Sequence, residues 1–510
     1  MPRLPIDPFI TLALFGLVGN LARTLTRSNS RSLDVLWRIK DRLKDHELVI
    51  LANREPFIQR KDKKQRIASI RPASGLVSAL EPVIREVGGT WIAQSNSNSD
   101  ILPPMNYRIE RVALGDEEEK GYYQGFANEG LWPLCHLAYN RPVFRASDWK
   151  CYQSVNERFG QSISQEILNS PSIILIQDYH FALVAEMLRK RCSSMQAKIG
   201  LFWHIPWPSP DAFGICPWHR ELLLGMLGAD LIGFHTQDYC DHFMEACARY
   251  LKGQVRIHGS LVELDNHFIS IQTFPIGIDP TPVKQLSFFK RAKLKKDLGI
   301  KSRWIAVGVD RLDYTKGLLE RMEAVERFLD KNPEYVGNFT LLQIGSPSRI
   351  QIDAYRNLVS ELKTVVTRIN DKFATGNGSA RVPEGYQAIV LLHQHYDWEE
   401  IKDFYQLGDI CLVTSLQDGM NLVAKEYVLC QAADRGALVL SKFTGASREL
   451  TEAILVNPYS TDELADAIAL AISLPPEERV QRMKAMKEKI QAYSAFDWAE
   501  DFIHTLLQKE

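Results

Sequence analysis

Residues 410–427, ICLVTSLQDGMNLVAKEY, run an apolar stretch into a tight turn and then into a helical pattern. Ile410, Leu412 and Val413 form a run of strand length. Asp418 and Gly419 follow it, which puts an acid at the carboxyl end of a strand, where open α/β sheets bind ligands. Gly419 lets the backbone turn sharply and approach a ligand closely. Met420 to Tyr427 read as the first turns of a helix, whose free amides and dipole favour anions. Glu426 lies about two helical turns beyond Asp418, so both carboxylates can line one pocket. A helix-capping aspartate and a solvated glutamate would give the same local pattern. The choice between these readings rests on whether other polar clusters fit the same site.

The strand-then-helix unit recurs in both directions. Before residue 285 the strand-like runs are Leu48–Leu51, Ile173–Ile176, Ile199–Trp203, Leu231–Phe234 and Ile269–Phe274, with amphipathic stretches such as Phe181–Arg191 and Tyr239–Lys252 between them. After the basic helical segment Phe288–Leu298 the series restarts: Trp304–Val309, Phe339–Ile344, Ala388–Leu392, Ile410–Thr414, Ala437–Ser441 and Ala453–Val456. Alternation of this kind predicts parallel sheets covered by helices on both faces. The Pro/Gly-rich exit Pro275–Pro280 marks the boundary. The expected fold class is α/β: an N-terminal extension (1–45), one doubly wound domain (46–285), a second (286–480) and C-terminal helices (481–510). Two such domains facing each other enclose a cleft outside their strand ends.

Composition sets limits on this reading. A chain of 510 residues exceeds what one core usually supports, so two domains is the default. The hydrophobic fraction of 45% and charged fraction of 24% are those of an ordinary globular enzyme. A net charge of −1 argues against nucleic acid as the main partner. The eight cysteines are scattered, with no C-x-x-C pair or Cys/His ladder, which suggests reduced thiols of a cytoplasmic protein and no zinc site. Pro8–Ala22 is apolar and flanked by arginines, but shorter than the roughly 20 residues that span a bilayer. A docked helix, a shallow membrane-surface anchor and an unordered extension all fit it, with the membrane the least favoured.

Further polar clusters stand at predicted strand ends. GVDRLDYTKG (308–317) places Arg311 and Lys316 on a loop entering a helix. Two permanent cations there suit a diphosphate whose charge grows as a bond to it breaks; a surface salt-bridge cluster is the plain alternative. The spacing is not that of a Walker loop, so a nucleotide-sugar fits better than ATP hydrolysis. Asn53-Arg54 ends the first strand, and Pro72–Leu76 opens a helix with a small-residue turn. Tyr122, Tyr123, Phe126 and Trp132 are aromatic faces of the kind that hold sugar rings, or core. Asp178 and His204 each follow an apolar strand, and Arg349 adds a cation after another.

Taken in order, QDYH (177–180), HIPWP (204–208), VDRLDYTKG (309–317), QDGMNLVAKEY (417–427) and VNPYSTDELADAI (456–468) resemble the retaining glycosyltransferase family that makes trehalose 6-phosphate. The resemblance runs from about Leu48 to about Trp498 and implies the GT-B arrangement of two facing Rossmann-like domains. By it, Arg311 and Lys316 hold the diphosphate of a nucleotide-glucose donor, most simply UDP-glucose. Glu426 takes the ribose, and Asp418, Gly419, Met420, Asn421 and Leu422 take the glucose and phosphates. His204 lies against the transferred glucose, and Gly75 meets phosphate through its backbone. Arg54 and Arg349 grip the phosphate of a sugar-phosphate acceptor, with Tyr123, Trp132 and Asp178 around its ring. The implied reaction is front-face attack on the donor with retention, His204, Arg311, Lys316 and Asp418 forming the catalytic set. No metal or other cofactor is expected.

The turn at Ser74-Gly75 departs from the paired glycines usual in the family. A sister group uses glycerol 3-phosphate as acceptor, but the Tyr122–Phe126 pattern leans toward glucose 6-phosphate. A catalytically silent sugar-phosphate sensor is the rival of another class. Nothing resembles a fused phosphatase, so a separate phosphatase is the expected consumer of the product. Homo-oligomerisation stays open.

Overall fold

The computed structural model describes residues 31–61, 67–70, 75–95, 105–166, 171–191, 197–281, 283–374 and 382–508. The apolar leader at residues 8–22 and the turn at residues 72–74 lie outside the described residues.

The first half supplies β1 (Glu47–Leu51), β2 (Ile58–Lys61), β3 (Ile67–Ile70), β4 (Thr90–Gln94), β5 (Arg108–Val112), β6 (Ser172–Gln177), β7 (Ala197–Phe202), β8 (Leu231–Phe234), β9 (Val255–His258), β10 (Leu261–Leu264) and β11 (His267–Thr273). Apart from the separate β2–β3 hairpin, these form a nine-stranded sheet in the order β5-β4-β1-β6-β7-β8-β11-β10-β9. From β5 to β11 every pairing is parallel; only β10 and β9 are antiparallel.

The second half supplies β12 (Trp304–Arg311), β13 (Phe339–Ser346), β14 (Ile389–Leu392), β15 (Ile410–Val413), β16 (Ala437–Ser441) and β17 (Ile454–Val456). They make an all-parallel sheet in the order β14-β13-β12-β15-β16-β17. In both sheets the first strand lies inside and the chain winds outward both ways, which opens a crevice at the carboxyl ends where the direction reverses. The central strands are buried along their length, which is why they read as continuous apolar runs.

The chain crosses between the halves twice. It leaves β11 through Phe274–Ile278 and returns at the helix Ala495–Leu507, and these two crossings touch: a Cβ at Gly277 would stand 2.5 Å from the Ser494 carbonyl carbon. The returning helix lays Phe502 against the first sheet. Gly200 and Gly233 make the room, since a Cβ on either would come within 2.9 Å of that ring. Residues 31–43 are helical and dock there too. Val35, Ile39 and Leu43 are buried, and Arg38 grips Glu500 through two 2.6 Å hydrogen bonds. One apolar cluster therefore runs through both halves, and each half has a second cluster on its other face. Among the described residues no helix is long and apolar enough to cross a membrane.

Candidate active site

In the second half, Arg311 is the last residue of β12, and a single helical turn, Tyr314–Lys316, follows. Asp313 starts that turn and accepts from the Thr315 amide (3.1 Å) and hydroxyl (3.0 Å). Its buried carboxylate stands between Arg349 (3.4 Å) and Arg311 (3.7 Å). Burial alone would raise the Asp313 carboxyl, but Arg349, Arg311 and Lys316 outweigh it and hold it below the usual range. Gly317, at φ 61°, turns the chain into the helix Leu318–Lys331.

Lys316 reaches across to Asp418: Nζ to Oδ2 is 2.5 Å, with side chains only 12% and 14% exposed. The same oxygen accepts from Asn421 Nδ2 (3.0 Å) and Ser415 Oγ (3.3 Å). Burial would raise the Asp418 carboxyl; Lys316 reverses that and keeps it ionised below the ordinary value. The helix here is Leu422–Cys430, starting two residues later than the sequence pattern suggests. Asn421, at φ 79°, is its cap and accepts from the Ala424 amide. Asp418 is thereby relieved of capping. Glu426, further along the same helix, accepts from the Tyr405 hydroxyl at 2.9 Å, and burial raises its carboxyl.

In the first half, Asp178 follows β6 at φ 74°. Its carboxylate accepts from the Tyr179 and His204 amides at 3.0 and 3.1 Å, tying two strand ends together. Burial pushes it up to about 7 against the pull of those amides, Arg349 and Arg311. His204 donates from Nε2 to Gln177 Oε1 (2.9 Å), and burial with His235 beside it holds the imidazole neutral, well below its ordinary value. A π-helical stretch, Lys120–Leu131, carries Tyr123 and leads into Trp132; such wide turns concentrate at functional sites. Arg54 donates to the Tyr123 hydroxyl at 3.1 Å. Burial would raise that phenol, yet Arg349 and Arg54 bring it down to about 8.

The strand ends of the two halves meet. A Cβ on Gly419 would lie 2.2 Å from the His204 carbonyl oxygen, so glycine is required for the two loops to close on each other. The guanidinium of Arg349 lies 3.9 Å from the centre of the Trp132 ring and donates to the hydroxyls of Tyr355 (2.6 Å) and Tyr179 (3.2 Å). Arg311 is 5.3 Å from the same indole. Tyr239 donates to the Asp418 carbonyl at 3.4 Å, and Gln124 bonds Gln351 across the gap.

One crevice thus gathers Arg54, Tyr123, Trp132, Asp178 and His204 from the first half with Arg311, Lys316, Arg349, Asp418 and Gly419 from the second. Met420 is buried beneath the loop and Leu422 half-buried. Among the described residues Glu426 hydrogen-bonds Tyr405 and none of the crevice residues. Gly75 is the first residue of its helix, and the turn before it is outside the described residues. Among the described residues no three His, Cys, Asp or Glu gather as a metal set.

Sequence reasoning missed three supports. Asp313 sits inside a quoted motif, but linear order does not show that it holds two arginines. Gln177 fixes the His204 ring, and its only signal is its place beside Asp178. Lys425, 1% exposed, donates to the Ile276 carbonyl and Glu449 (both 2.8 Å), fastening the helix of the Asp418 loop to the interdomain crossing.

Comparison with known proteins gives a consistent answer. The family model described as glycosyltransferase family 20 matches residues 46–508. The chain is 35% identical to the α,α-trehalose-phosphate synthase [UDP-forming] 56 kDa subunit of Kluyveromyces lactis over 90% of this chain and 95% of that one. It is 35% identical to the Saccharomyces cerevisiae 56 kDa subunit over 90% and 94%. An E. coli structure bound with UDP-2-fluoro glucose superposes with a TM-score of 0.79 at 32% identity, covering 91% of this chain and 99% of that one. A UDP-forming α,α-trehalose-phosphate synthase from Burkholderia xenovorans, solved in complex with glucose-6-phosphate, gives 0.77 at 29% identity, covering 90% and 99%.

Proposed function

The chain belongs to glycosyltransferase family 20, and from that premise we propose that it transfers glucose from UDP-glucose to glucose 6-phosphate, giving α,α-trehalose 6-phosphate and UDP with the donor configuration retained. The fold is GT-B, and the enzyme is a glycosyltransferase. The observation that carries the detailed reading is the fixed Lys316–Asp418 pair in the same half as Arg311 and Arg349, which Asp313 holds, with Arg54 and Tyr123 of the first half facing them.

In this reading the donor diphosphate lies on Arg311 and Lys316, and Asp418 accepts from a hydroxyl of its glucose while the amides of the Gly419–Leu422 loop meet the remaining sugar and phosphate oxygens. Glu426 takes the ribose, and Gly75 approaches the phosphates from the first half. The acceptor phosphate sits between Arg54 and Arg349 near Tyr123, with Trp132 and Asp178 at its ring. The acceptor hydroxyl adds to the donor's anomeric carbon on the face from which the phosphate departs. The carbon–oxygen bond to phosphate breaks, and the freed phosphate oxygen takes the hydroxyl proton. Charge then builds on the departing diphosphate, where Arg311 and Lys316 meet it already oriented. His204, neutral and held by Gln177, contributes a hydrogen bond at the transferred sugar and no charge. Asp418, committed to Lys316 and Asn421, acts as an acceptor and not as a covalent nucleophile.

The reaction so written uses no metal, and a separate phosphatase would consume the product. UDP-, GDP- and ADP-glucose crossed with glucose 6-phosphate and glycerol 3-phosphate, read by nucleotide release, tests the proposal. Turnover confined to UDP-glucose with glucose 6-phosphate, undiminished by EDTA, is expected. Turnover with glycerol 3-phosphate alone would transfer the enzyme to the sister reaction, and none with any pair would make it a sensor.

A further inference from the structure

The segment between the two halves carries a surface the glucosyl transfer does not use. Residues 284–303 hold eight cations (Lys284, Lys290, Arg291, Lys293, Lys295, Lys296, Lys301 and Arg303) against one acid, Asp297, in a chain whose net charge is only −1. Its helix, Phe288–Asp297, is capped by Ser287 and has no fully buried residue. On the inner side Lys290 and Arg291 pair with Asp403 and Asp409, and Lys295 donates to the Ser302 carbonyl. These cations are consumed in holding the helix to the second domain. The outer side differs. Phe288 and Phe289 are 80% and 84% exposed, their rings edge to face at 6.0 Å. Lys284, Lys293 and Lys296 have no ion pair among the described residues. Phe289, Lys293 and Lys296 fall at i, i+4 and i+7, one stripe of the helix.

We propose that this stripe docks the enzyme on an anionic bilayer surface. Two adjacent phenyl groups this exposed suit insertion into the headgroup boundary. Lysines on the same stripe can lay their stems on that boundary and keep their ammonium groups at lipid phosphates. An anionic surface is the occupant that complements the unpaired Lys284, Lys293 and Lys296 beside two exposed phenyl rings. Docking leaves the reaction free. The helix feeds into β12 at Trp304, while Arg311 stands at that strand's other end, about 23 Å along it.

Vesicle co-sedimentation of the full chain tests this. Vesicles with about 40% phosphatidylserine should sediment the protein and pure phosphatidylcholine should not, with binding lost as salt rises. Phe288→Ser with Phe289→Ser should weaken binding about tenfold or more, and Lys293→Glu with Lys296→Glu on the order of a hundredfold. Both double variants should keep wild-type glucosyl transfer, which also shows that they fold. Wild-type protein that ignores the anionic vesicles overturns the proposal, including the case in which it binds polyglutamate instead, which would make the partner an acidic protein. Binding that survives both double variants overturns it as well.

Discussion

Replacing Lys316 by alanine separates charge stabilisation from mere packing. Two unit charges at the 2.5 Å of the Lys316–Asp418 contact attract by about 7 kcal/mol at an effective dielectric near 20, most of it offset by the desolvation of both ions. Removing one partner of a buried pair costs about 3–5 kcal/mol because the other charge is stranded. With the two side chains 12% and 14% exposed, water screens part of that, and the lower end, about 3 kcal/mol, is the expectation. Asp418 would then lose the neighbour that holds it ionised, and burial would move its carboxyl upward. Catalysis loses a comparable amount, about 2.7–4 kcal/mol. One preorganised donor at a developing anion contributes about 10²–10³-fold in kcat, and Lys316→Ala should fall by that much in UDP release at saturating substrates. Thermal unfolding and activity of Lys316→Ala/Asp418→Ala divide the two effects: stability should recover toward wild type because no charge is stranded, while activity stays lost. A folded Lys316→Ala enzyme within about threefold of wild-type kcat would refute the role. A double variant no more stable than the single would refute the stranded-charge argument.

Other consequences can be read at the same site. The Tyr123 phenol, near 8 between Arg349 and Arg54, becomes a phenolate as pH rises and competes for the cations assigned to the acceptor phosphate. The acceptor KM should climb above about pH 8 in wild type, and Tyr123→Phe should flatten that limb. Asp178 is raised from the usual 3.8 to about 7, so between these values the folded state binds the proton more tightly than the unfolded chain. Its contribution to stability is full below about pH 4 and lost as pH rises through about 7, and the melting temperature of Asp178→Asn should lose that downward slope relative to wild type. Gly419→Ala sets a methyl 2.2 Å from the His204 carbonyl; the loops must part, and kcat/KM for the donor should fall about 10–100-fold with far-UV circular dichroism unchanged.

Much of this architecture was legible because parallel strands buried on both faces read as apolar runs. IILI at 173–176 and ICLV at 410–413 lie fully buried within β6 and β15. Edge strands are harder to read. β5 is RIERV, with exposed or half-exposed positions along most of its length, and β9 is VRIH, exposed at three of four; one-sided burial and charge hide such strands from a search for apolar runs. The sequence pattern starts the helix after Asp418 too early because Met420 looks helical, whereas Asn421 in a left-handed conformation accepts from the Ala424 amide and sets the start. The polar residues at strand ends could be named from order alone. Which of them touch could not: Arg349 reaches Tyr179, 170 positions away, through the meeting of two sheets, and no local pattern encodes that distance.

The motif RLDYTK interleaves an acid with two bases for a reason that only the assembled crevice makes plain. Arg54, Arg311, Lys316 and Arg349 are four cations converging on one interdomain gap, and unbalanced they would repel one another and resist closure of the halves. Asp313, fully buried, stands against Arg311 and Arg349 together, while Asp418 answers Lys316. Two carboxylates fix the geometry of three cations and leave an excess of positive charge, Arg54 included, for the anions the reaction brings. The arrangement also couples the proposed subsites. Arg311, on the donor side, and Arg349, on the acceptor side, share one anchor. In the proposed reading, an acceptor phosphate drawing Arg349 away from Asp313 would leave that carboxylate more fully to Arg311. Neither half of the polypeptide could do this alone, because the anchor lies in the second domain while the indole that both arginines cover, Trp132, lies in the first.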